Sequence, residues 1–374
     1  MWTGDTMFEN AYELIVFILN YIGIYKPINE IFTMLGIEYV LRIIIVTVEI
    51  AVVLVFALLT IMFLTWMERK VVAMVQARYG PMVTGPRGLL QPVVDGIKLI
   101  GKEDIIPAKA DRWIFTLAPF IIFIPALLLF IPLPFGESLI ISDMNVGLLY
   151  IIAISAVSPI AILLAGWASN NKYSLMGAVR AVAQDISYTI PLALSAIAIV
   201  LLTGSLSTVD IVTAQTGTWF GFVPKWFIFL QPLGFILFLI ASIAEMGRIP
   251  FDFQESEQEL VAGFFTEYSG MKFAMFFLAE YAHLFSVSAI VVTLFLGGWS
   301  IPFLNLLPPV LVPLITFGVF VFKTYIIIFF TMWLRDTVPR VRIDQLLNLG
   351  WKIMIPLALL NLVVTGFLLT VGVF

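Results

Sequence analysis

Long runs of apolar residues, separated by polar segments, fill most of the chain. Eight runs of about 20 residues are each long enough to cross the hydrocarbon core of a bilayer as a helix, and they lie at residues 40–66, 114–133, 146–168, 186–203, 226–244, 273–297, 310–334 and 351–373. A shorter apolar run at 11–25 is stopped by Lys26-Pro27 and predicts an interfacial helix or a half-span. The pattern predicts an all-α, polytopic integral membrane protein with about eight transmembrane helices.

The same pattern sets the predicted domain organisation. Residues 1–39 are an N-terminal extension, and residues 40–374 are a single transmembrane helical domain with large loops at 67–113 and 245–272. Lys and Arg are concentrated in the loops after the first, third, fifth and seventh spans, whereas the loops on the other side hold only Lys225. By the positive-inside rule, the basic loops are cytoplasmic and both ends of the eight-span domain face outward.

Composition narrows the chemistry that the chain can perform. It has no cysteine and one histidine, His283, so disulfides and thiolate-bound iron–sulfur clusters are excluded, and haem or zinc sites built on histidines have little basis. We therefore expect no metal site and no cofactor held by ligands of this chain. The formal net charge of −4 gives no sign of nucleic-acid binding.

One polar segment, residues 244–283, carries an unusual density of acids. Six carboxylates fall within 23 residues and a seventh follows inside the next apolar run: Glu245, Asp252, Glu255, Glu257, Glu259, Glu267 and Glu280. Each carboxylate at the bilayer centre costs roughly 2.5 to 3.5 kcal/mol, so these side chains must lie in a loop or line a wet cavity. Neighbouring carboxylates hold protons more tightly, which favours a proton-handling cluster. A plain solvated acidic loop is the alternative, and the interleaved apolar residues argue against it.

Three ionisable residues fall at or within predicted spans. Glu280 lies about a third of the way through the sixth span and Lys323 about midway through the seventh. Asp185 lies at the start of the fourth span, where it is either an intramembrane acid or part of a solvated helix start. Ionisable residues inside a membrane are functional candidates by default, and a structural salt bridge is the competing interpretation.

The first large loop contains an amphipathic segment. After Gly80-Pro81 and Gly85-Pro86, the stretch LLQPVVDGIKLI places its apolar residues at helical spacing, with Asp95 and Lys98 together on another face. The stretch predicts an amphipathic helix at the membrane interface, and a simple surface anchor is the alternative function.

Four motifs in order give the chain a specific resemblance. The stretches GPMVTGPRGLLQPVVDGIKLIGKE, GWASNNKYSLMGAVRAVAQDISY, AEMGRIPFDFQESEQELVAGFFTEYSG and PRVRIDQLLNLGWK closely resemble the H-type membrane subunit of respiratory complex I and its relatives. The resemblance implies a subunit that forms the membrane side of a quinone-binding chamber and the start of the proton-coupling path. It also implies partners: other membrane subunits, including antiporter-like ones, and soluble subunits on the cytoplasmic face that supply iron–sulfur clusters and the rest of the quinone site.

The resemblance assigns roles to residues that match the motifs. We expect a proton relay formed by Glu68, Asp95, Asp185, Glu245, Asp252, Glu255, Glu257, Glu259, Glu267, Glu280 and Lys323. We expect a quinone-type, lipid-soluble substrate to contact Arg69, Lys98, Arg248, Phe251 and Glu255.

The chain also departs from the family pattern. Where the family usually has AQTISYE, this chain has AQDISYT, so Thr189 replaces a glutamate while Asp185 stands one helical turn earlier. Four residues along a helix keep the same face, and we therefore expect Asp185 to take over the role of the missing acid. Val341 and Ile343 replace the aromatic residues of the usual PRFRYDQ, which affects details of subunit contact.

The sequence thus predicts a membrane subunit of a proton-pumping quinone oxidoreductase that couples quinone reduction to proton translocation without carrying a redox centre. The alternatives are an anchor subunit of a membrane-bound hydrogenase and a stand-alone cation/proton transporter. We expect the plasma membrane of a bacterium or archaeon, with an organellar membrane as the other option. NADH, reduced ferredoxin and a reduced deazaflavin all remain open as electron donors.

Overall fold

The computed structural model describes residues 38–137, 139–219, 223–253, 261–302 and 311–372. The predicted N-terminal helix at 11–25 lies outside these ranges, and so do Glu255, Glu257 and Glu259. Helices and connecting loops make up the described chain, apart from one antiparallel pair of two-residue strands, β1 (Thr218–Trp219) and β2 (Val223–Pro224).

The helices follow the apolar runs of the sequence. In chain order they are α1 (Glu38–Val75), α2 (Gln91–Ile100), α3 (Arg112–Leu128), α4 (Gly147–Ser155), α5 (Ser158–Ala168), α6 (Lys172–Thr203), α7 (Thr208–Ala214), α8 (Phe227–Leu230), α9 (Pro232–Glu245), α10 (Gly270–Phe295), α11 (Val312–Thr337), α12 (Ile343–Asn348) and α13 (Ile355–Val371). Short 3-10 turns lie at Pro86–Gly88 and Gly263–Phe265, and a π-helical turn, Leu349–Met354, joins α12 to α13.

Six of the helical segments in the described ranges are long and apolar enough to cross a membrane: Val46–Val75, Gly147–Ala168, Lys172–Thr203, Gly270–Phe295, Val312–Thr337 and Ile343–Val371. The other two predicted spans coincide with shorter apolar helices, α3 and α9. The prediction of a polytopic all-helical membrane protein is confirmed.

Local sequence signals explain several helix boundaries. The side chain of Asn171 accepts a hydrogen bond from the backbone N–H of Tyr173 and caps the start of α6. Gly204 ends the same helix in the left-handed conformation, with φ of 71°. The third span is interrupted between α4 and α5, where Pro159 occupies the first turn of the new helix.

Two helices extend well beyond their predicted limits on the polar side. α1 continues to Val75 rather than ending near residue 66, because no Gly or Pro interrupts the chain before Gly80-Pro81. α6 starts at Lys172 rather than near 186, so that Asp185 lies well inside a 32-residue helix. Both extensions carry charged residues of the site into the helical bundle.

The centre of the bundle is α10, which is buried along most of its length. It packs against α1, α3 and α11, and α6 packs against α5, α9 and α13. Because α10 carries Glu280 and His283 and α6 carries Asp185, the two most enclosed helices hold the acids and the histidine away from lipid.

The loops predicted to be cytoplasmic meet on one side of the bundle, which we call the basic side. Asn170 Nδ2 donates to Lys109 O over 3.1 Å, and Ser269 Oγ donates to Glu103 O over 3.3 Å. On the opposite side, Thr208 Oγ1 donates to Pro132 O over 2.7 Å. These contacts confirm that the basic loops share one side of the molecule.

Candidate functional site

A buried cluster of ion pairs joins four elements at the basic side. Arg248, which follows α9, pairs with Glu68 of α1 over 2.6 Å and with Glu280 of α10 over 2.8 Å. Arg335 of α11 also pairs with Glu68. Glu68 and Arg248 are only 7% and 4% exposed. We call Glu68, Arg248, Glu280 and Arg335 the paired cluster.

Charge balance explains why arginine can be buried there. Burial alone would lower the pKa of Arg248, but the carboxylates of Glu280 and Glu68 outweigh burial and raise that pKa above its usual value. The guanidinium also lies 4.7 Å from the ring centre of Tyr281. Arg248 is therefore a permanent cation that holds two carboxylates in place.

A small cavity lies next to the paired cluster. Asp185, Glu245, Glu280 and His283 line it, together with hydroxyl groups of α4 and α5 and phenyl rings of the acidic segment. Its volume is about 60 Å³, enough for a few water molecules, and its polar lining could hold them. Glu280 thus faces both the paired cluster and the cavity.

Two other acids that line this cavity, Asp185 and Glu245, have no ionic partner among the described residues. Asp185 Oδ1 also has no described hydrogen-bond partner, although Asp185 is only 3% exposed. Ser155 is the one described side chain within hydrogen-bonding reach of Glu245. We call Asp185 and Glu245 the unpaired acids.

Local packing places the two unpaired acids together. Gln184 Nε2 donates to Ala244 O over 2.6 Å and so joins α6 to the end of α9. Thr189, which stands where the family has an acid, uses its hydroxyl to donate to the backbone oxygen of Asp185 over 2.8 Å. The acid on this stretch of α6 is therefore Asp185, as the sequence predicts.

A separate pocket opens at the surface beside the paired cluster. Glu68, Arg69, Val72, Arg78 and Pro81 line it, and its volume is about 260 Å³. Glu68 therefore lies between this surface pocket and the buried cation Arg248.

The predicted amphipathic helix exists as α2 and lies next to this pocket. Arg69 pairs with Asp95 of α2 over 2.7 Å, and Gln91 Nε2 donates to Asp95 over 3.1 Å. Lys98 is exposed, as are the apolar side chains of Ile97 and Ile100. A helix that exposes both kinds of side chain suits a membrane interface or a partner surface.

Two further acids of the acidic segment, Asp252 and Glu267, have charged or polar partners. Asp252 is buried and pairs with Arg340 over 3.1 Å. Glu267 accepts a hydrogen bond of 2.8 Å from Asn171 Nδ2. These two contacts hold the acidic segment, at Asp252 and at Glu267, against neighbouring loops.

Phe251 is buried, and its ring centre lies 5.7 Å from that of Tyr188. This ring packs into the core on the side of α6. It does not line the surface pocket beside Arg69.

Lys323 lies apart from the acids. Its ammonium donates to the backbone oxygens of Leu296, Gly298 and Ser300 over 2.8, 3.0 and 2.8 Å, and it lies 4.5 Å from the ring centre of Trp226. The three donors of an ammonium match three carbonyl acceptors at the end of α10. This geometry suits a structural cation, and a role for Lys323 in proton transfer stays a prediction.

Sequence reasoning missed two functional features of the site. The sequence motifs do not mark Arg335 as a site residue, although it pairs with Glu68 from 267 residues away. The sequence favours a structural role for His283, as a lone histidine that can hydrogen-bond locally, although its place three residues after Glu280 puts both side chains on one helix face. Within the described ranges, no three side chains of His, Asp or Glu are grouped so as to hold a metal ion.

The amino-acid sequence is similar to those of known proteins. The profile of a family described as NADH dehydrogenase matches residues 48–366. The chain is 50% identical over 312 residues to the H-type subunit of NADH-quinone oxidoreductase from Dehalococcoides mccartyi strain CBDB1, and 49% identical over 312 residues to its counterpart from strain ATCC BAA-2266 / KCTC 15142 / 195. In both cases the match covers 83% of this chain and 83% of the relative.

Proposed function

Since this chain belongs to the NADH dehydrogenase family, we propose that it is the H-type membrane subunit of a proton-pumping NADH-quinone oxidoreductase. In this role it holds the membrane side of the quinone chamber and passes the effect of quinone reduction to proton-carrying acids. It carries no redox centre of its own, and soluble subunits on the basic side supply the electrons.

One observation carries the proposal: ionisable side chains connect the surface to the unpaired acids. Glu68 lines the surface pocket and pairs with Arg248, which pairs with Glu280. Glu280 also lines the cavity that contains Glu245 and Asp185. A charge change at the pocket is therefore felt two ion pairs away, at the edge of the cavity.

The chemistry of quinone reduction supplies such a charge change. Reduction to the quinol takes up two electrons and two protons, and negative charge develops on the quinone oxygens before the protons arrive. Negative charge near Arg69 and Glu68 attracts the guanidinium of Arg248 and weakens its interaction with Glu280, because Glu68 and Glu280 share this one cation. Glu280 then holds a proton more tightly, and it passes that proton on to the cavity once the negative charge on the quinone is neutralised.

The quinone-contacting residues stay a proposal of the same kind. Arg69 lines the surface pocket, Arg248 lies directly behind Glu68, and Lys98 projects from α2 beside the pocket. Phe251 supports the core under the loop rather than the pocket wall. Glu255, with Glu257 and Glu259, lies outside the described residues and remains assigned by motif alone.

Within the relay, the contacts suggest a division of labour. Glu280, Glu245 and Asp185 carry protons, with Asp185 in the role that the family gives to the acid at position 189. Glu68, Asp95 and Asp252 each pair with an arginine and act mainly by holding charge in place. Glu267 fastens the end of the acidic segment to the loop before α6.

The exposed apolar residues on the basic side suit partner subunits. Val83 is 96% exposed and Tyr79 is 89% exposed, both next to the surface pocket. We propose that a soluble subunit covers this loop and closes the quinone chamber, while antiporter-like subunits cover lipid-facing helices. The complex would lie in the plasma membrane with the basic side in the cytoplasm.

The test is purification of the whole complex from membranes, followed by quinone-reductase and proton-pumping assays in liposomes with Glu280→Gln. We expect the variant to assemble and to lose about tenfold or more in pumping rate, because the connecting acid is gone. Glu103→Gln, which changes an exposed carboxylate on the same side, is the matched control.

Three results would contradict the proposal. One is a Glu280→Gln complex that pumps normally. The second is a chain that purifies alone and moves cations without an electron acceptor. The third is a chain that purifies within a complex that evolves hydrogen and reduces no quinone.

A further inference from the structure

We propose that His283 is a proton-transfer residue of the internal cavity, placed between Glu280 and the unpaired acids. The proposal rests on the function above and adds to it a residue with no assigned role. It starts from the only histidine of the chain, which lies on the most buried helix of the described bundle.

Burial and hydrogen bonding set His283 apart. It is 9% exposed, and its Nε2 atom has no hydrogen-bond partner among the described residues. A buried polar nitrogen without a hydrogen-bond partner costs stability, so a purely structural histidine would be expected to have a partner. A water molecule in the cavity could be that partner.

The surroundings of His283 are acidic on two sides. Glu280 lies one turn earlier on α10, while Asp185 comes from α6 and Glu245 from the end of α9, and all four side chains line the same cavity of about 60 Å³. Arg248 is the cation that pairs with an acid of this set, through Glu280. The imidazole therefore lines the same cavity as Glu280 of the paired cluster and both unpaired acids.

Imidazole suits proton transfer because it has two nitrogens with different roles. A proton from Glu280, passed directly or through a cavity water, adds to one nitrogen and gives the imidazolium. The other nitrogen then releases its proton to the carboxylate of Glu245 or Asp185. One proton has crossed, the ring is neutral with its tautomer exchanged, and rotation of the ring restores the starting arrangement.

The test compares His283→Asn with Ser286→Ala in the whole complex in liposomes. Asparagine can hydrogen-bond but cannot take up a proton near neutral pH. Ser286 is a matched control because it is fully buried one turn away on α10, its hydroxyl also has no described partner, and it does not line the cavity. His283→Gln serves as a second variant if His283→Asn assembles poorly.

We expect the pumping rate per assembled complex to fall about tenfold in His283→Asn and His283→Gln, with Ser286→Ala close to the unmodified protein. Normal pumping in an assembled asparagine or glutamine variant would overturn the inference, because hydrogen bonding alone would then suffice. Measuring Glu280→Gln in parallel separates the two proposals. If Glu280→Gln is impaired and His283→Asn is not, only the histidine inference fails; if Glu280→Gln pumps normally, the proposed function fails.

Discussion

The paired cluster and the unpaired acids lie next to each other but solve the problem of buried charge in opposite ways. Glu68 and Glu280 meet arginines at hydrogen-bonding distance, and each arginine comes from a different element. Asp185 is buried and Glu245 is half-buried, and neither meets a described cation. Paired charges stay fixed, whereas an enclosed acid without a cation is stable when it holds a proton.

This difference shows how a rigid framework and a proton store can share one helix bundle. Glu280 belongs to both regions, since it pairs with Arg248 and also lines the cavity. A change in the paired cluster therefore reaches the unpaired acids through one side chain. Variants that disturb only one region separate the two functions.

The largest effect is expected from Arg248→Met. The substitution leaves Glu68 and Glu280 buried without their shared cation, and breaking a buried pair costs about 3 kcal/mol or more. We expect little assembled complex on native gels and a strongly lowered thermal stability. Arg112→Met, at an exposed arginine of the same side, should assemble normally, and full assembly of Arg248→Met would contradict the framework role.

Asp185→Asn and Glu245→Gln should do the reverse. Neither acid has a described cation to leave unpaired, so assembly should be preserved, while the pumping rate falls about tenfold or more because a proton site is lost. Native gels and liposome pumping assays measure the two effects, with Glu103→Gln as control. Unchanged pumping in Asp185→Asn would show that this acid does not replace the one missing at Thr189.

Lys323→Met sharpens the comparison from the opposite side of the bundle. Losing three charge-assisted hydrogen bonds to carbonyls should cost about 2 kcal/mol or more in stability. Because the three carbonyls occupy all three N–H donors of the ammonium, Lys323 has no free donor for proton transfer. Complexes that do assemble should therefore pump at near-normal rates. Lys225→Met, at an exposed lysine of the same side, should change neither property, and lost pumping with intact stability would return Lys323 to the relay.

The smallest effect on stability is expected from Asp95→Asn. The pair with Arg69 is partly exposed, and such pairs contribute at most about 1 kcal/mol. Freeing Arg69 at the mouth of the surface pocket should instead alter the KM for quinone while kcat and assembly stay close to normal. A fall in kcat without a change in KM would place Asp95 in the relay rather than beside the quinone.

The sequence predicted the spans and the acids, but not their partners. Apolar runs are local signals, so α10 and α11 begin and end within a few residues of their predicted limits. The pair of Arg335 with Glu68 joins residues 267 positions apart, and no local pattern encodes such a contact. Whether an acid is paired or unpaired depends on the packing of several helices, which spacing along one helix cannot give.

The surroundings of His283 also depend on helix packing and could not be predicted from local sequence. As a lone histidine three residues after Glu280, it could be placed on a helix face but not in a cavity. The cavity exists because α6, α9 and α10 meet there with acids from each helix. The role proposed for Asp185 rests instead on a local signal, since its offset of four residues from the usual acid keeps the helix face.

Infrared difference spectroscopy of the whole complex, triggered by quinone reduction, tests most directly whether the unpaired acids change protonation while Asp95, which pairs with Arg69, does not. A protonated carboxyl group has a C=O stretch that a carboxylate lacks. The account predicts a carboxyl band that changes on reduction, is lost or shifted in Glu245→Gln or Asp185→Asn, and persists in Asp95→Asn. A band that is unchanged in both unpaired-acid variants would contradict it.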